Sequence, residues 1–461
     1  MSTIYSDIAV VGAGASGTLV ATNVLRAATG SVRVALVSDV AELCRGVAYG
    51  TKCDDHLLNV PAAGMSAYPD EPTHFLEWAQ RRDGSVGPKT FVRRRWYGEY
   101  LAELLAGAEK RASRVGAELV RVRARAIQAR ELRDTGLVGL ADGRAVVAKR
   151  VVLALGNFPP AALPGCSSTA ATSARCIEDP WVPGVLDAIG ASDRVLLVGT
   201  GLTMYDVFLD LHRTGRGPRV VAISRGGLRP EVHDLSLGPP PQPRFGETSS
   251  LSDIARAVEE ASSVDAEWRR TIDSVRPLTP GIWNTLTLEE RADFLTQWRR
   301  KWDVRRHRAA PDVDATIRSH VSNGTLEFKA ASIVRIRARN EKLHVFFALP
   351  DGENHEDVFD FVINCTGPQS DYRTIQDPLV ASLRAAGTLT PCPLGLGIET
   401  DATCALTRAD GTPSETFFAA GPPTKPMLWE ITAIPEIRVQ AQALGVRLLE
   451  DVKPQQAPVL V

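Results

Sequence analysis

The stretch IAVVGAGASGTLVA, Ile8 to Ala21, decides the fold. Its first half is an apolar run of branched and small residues, the composition of a strand buried on both faces. GAGASG interrupts it, an apolar helical pattern follows, and VRVALVSD at Val32–Asp39 reads as a second buried strand. Strand, glycine turn, helix and strand open a βαβ unit that binds a dinucleotide. Gly12 permits the tight turn, Gly14 lets the backbone approach a pyrophosphate, Ser16 lies in the same turn, and Gly17 allows the helix to pack close on the strand. The helix N-terminus then offers free N–H groups and a partial positive charge to the phosphates. An acid that holds the ribose is due about 20 residues further on. Asp39 stands there, with Ser38 or Glu42 as alternative ribose contacts.

The same arrangement returns in VLLVGTGLTMYDV, Val195 to Val207, 187 residues later (199 minus 12). Gly199 and Gly201 serve the turn and the approach, but Met204 replaces the third small residue, so this helix must stand slightly farther off. Its next strand ends at Ser224–Arg225, with Arg229 close behind, where a site for an unphosphorylated ribose would place an acid. A guanidinium fork suits a phosphate dianion, so NADPH is expected rather than NADH. Two dinucleotides in one chain imply an electron relay, with FAD in the first site and NADPH in the second.

The surrounding pattern supports two folds of one design. After the first unit come helical patterns at Thr73–Arg82 and Tyr97–Arg114, then period-two alternation from Ala117 to Leu153 that reads as a strand, a β-meander and a strand stopping at Gly156. The second unit closes through a hairpin into FDFVINCTG, ending at Gly367. The expected class is therefore α/β: two Rossmann-like domains, each with a meander or hairpin, plus a helical insertion. The first, FAD-binding part spans 1–158, the NADPH-binding domain 159–350 with its insertion at 250–318, and a third part 351–461. Trp268, Trp283, Trp298 and Trp302 fall in the insertion, where they are expected to pack it onto the main body.

Bulk composition narrows the partners. The chain has 461 residues, 44% of them hydrophobic, and a formal charge of -1, which provides no general attraction for nucleic acid or an anionic membrane. Its apolar runs are far shorter than the roughly 20 residues that span a bilayer, and no secretion signal is visible, so a cytoplasmic protein with a small-molecule partner is expected. Seven cysteines without a C-x-x-C pair suggest reduced thiols, with neither a disulfide framework nor a metal site.

Several longer blocks, GVAYGTKCDDHLLNVPAAGMSAYPDEPTHFLEWA (Gly46–Ala79), FVRRRWYGEYL (Phe91–Leu101), AISRGGLRPEVH (Ala222–His233) and LWEITAIPEIRVQAQAL (Leu428–Leu444), resemble the FAD/NAD(P)-binding protein family with two dinucleotide folds. That family is related to the flavin-dependent N-hydroxylating and Baeyer-Villiger-type monooxygenases. The resemblance implies that FAD is held by residues 1 to about 158 and again by the C-terminal part, 351–461, that Asn59, Met65 and Ser66 run beside the isoalloxazine, and that Arg94 reaches the FAD phosphates or the nicotinamide side. It also implies that Gly421 closes a strand, and that the Trp429–Glu430 segment leads a helix whose N-terminus faces the flavin. One departure stands out: where the monooxygenases often carry F-x-G-x-x-x-H, this chain reads CIEDPWVPG around Trp181, without histidine.

The function this implies is an NADPH-consuming FAD monooxygenase of a small polar metabolite in specialised metabolism, with O2 as co-substrate and an amine or an amino acid such as aspartate oxidised at nitrogen. The flavin performs the chemistry, so no side chain is assigned as catalytic. The alternatives are a flavoprotein dehydrogenase or reductase without oxygen transfer, and a non-catalytic redox module that would not need the second turn.

Overall fold

The computed structural model describes residues 2–166, 174–215, 217–238, 251–263 and 267–452. Its strands are β1 (Thr3–Val11), β2 (Arg33–Ser38), β3 (Glu118–Arg123), β4 (Ala126–Glu131), β5 (Gly136–Leu140), β6 (Ala145–Leu153), β7 (Cys176–Ile177) and β8 (Arg194–Val198). They continue as β9 (Arg219–Ser224), β10 (Leu326–Ala330), β11 (Ser332–Arg339), β12 (Lys342–Ala348), β13 (Asn354–Phe359), β14 (Phe361–Asn364), β15 (Ala405–Thr407) and β16 (Pro413–Ala419).

Two sheets with parallel cores carry the structure, and four strands of one correspond in order to four of the other. The first runs β15-β16-β6-β1-β2-β3, and the second runs β10-β9-β8-β14-β7. Read from β3 and from β10, each places its third, second, first and closing strand in the same order. The backbone bonds repeat as well. Gly12 N donates to Val37 O at 2.9 Å and Gly199 N to Ile223 O at 2.7 Å, while Ala154 N meets Val11 O and Cys365 N meets Val198 O, both at 2.8 Å. Ile8, Ala9 and Val10 of β1 and Val195, Leu196 and Leu197 of β8 have no exposed surface. Such strands form because both faces are covered, each large side chain contributing about 1.5–3 kcal/mol on burial.

The additions differ between the halves. In the first, β4 and β5 form an antiparallel meander that returns to β6. In the second, β11, β12 and β13 form a separate antiparallel sheet, and β14 then joins the parallel one, so the chain of that sheet extends past residue 350. Helices between Leu251 and Arg306 form the insertion. The C-terminal helix Ile434–Val452 packs back on the first-turn helix Ala15–Ala27, close enough that a Cβ on Gly445 would stand 3.0 Å from that of Asn23.

The reading of all seven cysteines as reduced thiols is corrected here. Cys166 and Cys176 form a disulfide with Cα atoms 5.5 Å apart, and the other five are free and buried. The pairing arises because β7 docks beside β14 at the edge of the second sheet, bringing Cys176 back to Cys166 in one apolar cluster. Spacing alone does not encode that approach.

Candidate functional site: two glycine turns and a cavity

At the first turn each glycine is required for a different reason. Gly12 has φ +104 and a Cβ there would lie 2.2 Å from Ala154 O, so the turn crosses directly against the strand end of β6. A Cβ on Gly17 would lie 1.8 Å from Gly12 O, and the helix could not sit where it does. Gly14 is different: its nearest neighbour would be Gly46 Cα at 3.7 Å, leaving the approach to the backbone open. Gly14 caps the helix without a side-chain bond, so the N–H groups of the first turn face outward. Ser16 is buried against Gly421, where φ is +77 and a Cβ would stand 2.2 Å from Ser16 Oγ. The segment that follows β16 thus closes over the turn at Gly421.

The second turn repeats this with one relaxation. Gly199 has φ +118 and would place a Cβ 2.3 Å from Cys365 O, whereas Gly201 has nothing within 4 Å and caps the helix Leu202–His212 without a side-chain bond. Met204 is fully buried at the position equivalent to Gly17, and its side chain rules out the intimate contact found there. Thr200 Oγ1 donates to Ser224 Oγ at 2.8 Å and pins the turn to the end of β9. Arg225 is exposed just beyond; partial burial, with Arg300 beside it, pushes its guanidinium below the usual range. Among the described residues neither arginine has a carboxylate partner, and the charge of Arg300 disfavours that of Arg225, a repulsion that an anion would relieve.

The first residues of the second-turn helix, Leu202 and Thr203, border a cavity of about 330 Å³. Asn59, Met65, Arg94 and Gly367 of the expected residues line it, and so do Tyr49, His56, Asn157, Asp179, Trp181, Asp206 and His307, which the sequence reading did not assign. Asp179 and Trp181 belong to the CIEDPWVPG segment, so the place where related enzymes carry histidine does border the cavity. Asp206 had a visible signal, an acid on a helix whose neighbours Tyr205, Val207 and Phe208 are all buried. His56 had none, because its role depends on a residue 150 positions away.

Polar side chains join the two folds around this space. Arg94 Nε donates to Leu57 O at 2.8 Å and its Nη1 pairs with the Asp206 carboxylate. His56 Nε2 donates to Asp206 O at 2.8 Å, which in the neutral ring leaves Nδ1 to accept from Thr51 Oγ1 at 2.7 Å. His233 Nε2 donates to Asn59 O at 3.0 Å and its ring packs on Phe91. Burial, reinforced by Arg308, pushes the His233 pKa down to about 4, so the ring stays a neutral donor.

The remaining expected residues lie elsewhere. Ser38 and Asp39 end β2, with Ser38 half-buried and Asp39 exposed; Glu42 pairs with Arg45 at 3.0 Å. Ser66 is fully buried outside the cavity, its hydroxyl engaged with Tyr68 O at 3.1 Å and Glu71 O at 2.6 Å. The long C-terminal helix begins at Ile434, later than Trp429–Glu430, and Thr432, Ala433 and Ile434 bring its N-terminus to the cavity. Trp429 turns away from it and stacks on Trp283 in the insertion, with ring centroids 4.6 Å apart. Glu430 is buried in an ion pair with Arg306 at 2.9 Å and accepts from Trp302 Nε1 at 2.8 Å. Among the described residues no helix is long and apolar enough to cross a membrane, and no metal-ligating cluster is found.

Comparison with known proteins places this architecture. Residues 9–158 match the model of a family described as FAD-NAD(P)-binding. No curated protein sequence matches the chain. Among solved structures, the ornithine N-hydroxylase of Kutzneria sp. 744, with reduced FAD, NADP+ and L-ornithine, has a TM-score of 0.64 at 14% identity over 97% of this chain and 99% of its own. The FAD-bound cadaverine monooxygenase of Erwinia amylovora, from desferrioxamine biosynthesis, scores 0.66 at 11% identity over 98% and 96%. The bacillithiol disulfide reductase of Bacillus cereus scores 0.51 at 15% identity over 97% and 99%. At these identities the likeness establishes a shared fold, the Rossmann-like FAD/NAD(P)-binding architecture with two dinucleotide turns.

Proposed function

We propose that this two-turn architecture serves an FAD-dependent, NADPH-consuming monooxygenase that oxidises nitrogen on a small polar amine or amino acid, aspartate among the candidates. The observation that carries the reading is that one chain holds two uncapped helix ends, each opened by a glycine turn of the same geometry, and that a cavity bordered by Leu202 and Thr203 of the second helix is also lined by Asn59, Met65 and Arg94 of the first fold. The residues present fit the cofactors: open backbone at Gly14 for a pyrophosphate, Gly421 closing beside it, and Arg225 with Arg300 at the second turn for a 2′-phosphate. Bound FAD would accept hydride from NADPH and, once reduced, would supply the electrons that activate O2 taken from solution. The chain's own residues would hold the two rings together. Asn59 and Met65 line the cavity, and the N-terminus of the helix at Ile434 would offer partial positive charge to an electron-rich flavin. Arg94, Asp206, His56 and His233 would fix the relation of the two folds and limit access of water to the site.

The higher structural similarity to N-hydroxylating enzymes than to the disulfide reductase favours oxygenation over the reductase reading, as does the absence of a C-x-x-C pair. The test is to reduce the purified flavoprotein with NADPH without air, admit 18O2 in the presence of amines and amino acids, and follow product mass. Incorporation of one labelled oxygen on nitrogen, coupled to NADPH consumption, supports the proposal. Hydride transfer to an organic acceptor with no labelled product would establish the reductase alternative, and a colourless protein that never binds FAD would defeat both.

A further inference from the structure

Trp283, Trp298, Trp302 and Trp429 surround, with Phe294, a second cavity of about 90 Å³ that shares no lining residue with the central one. The indoles are fixed from outside it. Trp283 Nε1 donates to Pro426 O at 2.8 Å, and Trp302 Nε1 to Glu430 Oε1 at 2.8 Å, so the polar edge of each is satisfied away from the space. Trp429 stacks on Trp283 and meets Phe294 edge-on at 5.1 Å, held on a backbone with φ +32 that a bulky side chain rarely adopts. Rigid rings anchored this way cannot collapse into the space between them, and a packed interior does not ordinarily keep such space.

The rim adds a charge. In RRHR, Arg305–Arg308, Arg306 pairs with Glu430, and Arg308 meets Asp273 through two bonds of 3.0 Å. Lys301, also on the rim, pairs with Glu259 at 3.8 Å. Of the two cations that line the cavity, Lys301 and Arg305, only Arg305 has no carboxylate partner among the described residues, and it borders the aromatic walls.

We propose that this cavity binds a planar aromatic carboxylate, with a phenyl-sized ring between the indoles and its carboxylate on Arg305. Stacking on fixed rings selects a flat apolar body, and the guanidinium fork selects the anion. This site is separate from the central cavity and does not depend on the flavin chemistry proposed above.

Equilibrium dialysis of the full chain against phenylacetate and its neutral isostere phenylacetamide tests it. Phenylacetate is expected to bind saturably and about tenfold more tightly than the amide. Ala255→Trp should fill the cavity and abolish both, and Arg305→Gln should erase the difference between them. Absence of saturable phenylacetate binding overturns the proposal, as does a preference that survives Arg305→Gln. Because Arg305→Gln alters a rim residue only, it decides the matter even if Ala255→Trp fails to fold.

Discussion

Arg94 and Asp206 form an ion pair between helix Arg94–Ala112 of the first fold and helix Leu202–His212 of the second, with side chains only 16% and 9% exposed. A cation in the first turn of a helix is unfavourable by itself, and the carboxylate across the interface compensates it. Asp206→Asn should therefore lower stability by about 2–3 kcal/mol in urea denaturation, since it leaves a largely buried guanidinium unpaired. Adding Arg94→Gln to that variant should restore part of the loss. Independent, additive losses would show that the pair is not coupled.

The glycines of the two turns should respond differently to a methyl group. Gly17→Ala forces a Cβ onto Gly12 O and should cost about 1–3 kcal/mol or more, with loss of bound FAD on purification. Gly201→Ala meets open space, so its unfolding midpoint should stay near wild type while the KM for NADPH rises. Flavin content and NADPH kinetics of the two variants check this.

Arg225→Gln should raise the KM for NADPH about tenfold and leave that for NADH within about twofold, because only the phosphorylated ribose meets the charge. Equal effects on both coenzymes would assign Arg225 a structural role.

His233 should make stability depend on acid. The unfolded imidazole protonates near its ordinary value of 6.5, whereas burial beside Arg308 and Arg306 holds the folded ring down to about 4, despite the opposing Asp273 and the bond to Asn59 O. Between those values the unfolded chain binds the extra proton, so the contribution is complete above the unfolded pKa and is lost as pH falls toward the folded one. Urea midpoints measured from neutral to mildly acid pH should fall less steeply in His233→Gln than in wild type.

The Cys166–Cys176 bridge predicts that two of seven thiols resist alkylation in denaturant until a reductant is added. Its closure of a short loop, 10 residues apart in sequence, should contribute about 2–3 kcal/mol, read as a lower unfolding midpoint after reduction.

The sequence by itself determined the parts whose physics is local. A buried strand announces itself by an apolar run, and a tight turn under a phosphate needs glycine where any side chain would collide, so both turns and the repeated strand order were legible from Ile8–Ala21 and Val195–Val207. Tertiary structure decided what depends on distant approach. His56 meets Asp206, His233 meets Asn59, Cys176 returns to Cys166, and Trp429 turns from the flavin side into the insertion to stack on Trp283. In each case the partner is chosen by how one packed layer settles on another. No periodicity along the chain records that choice, because the contact exists only once both layers are formed.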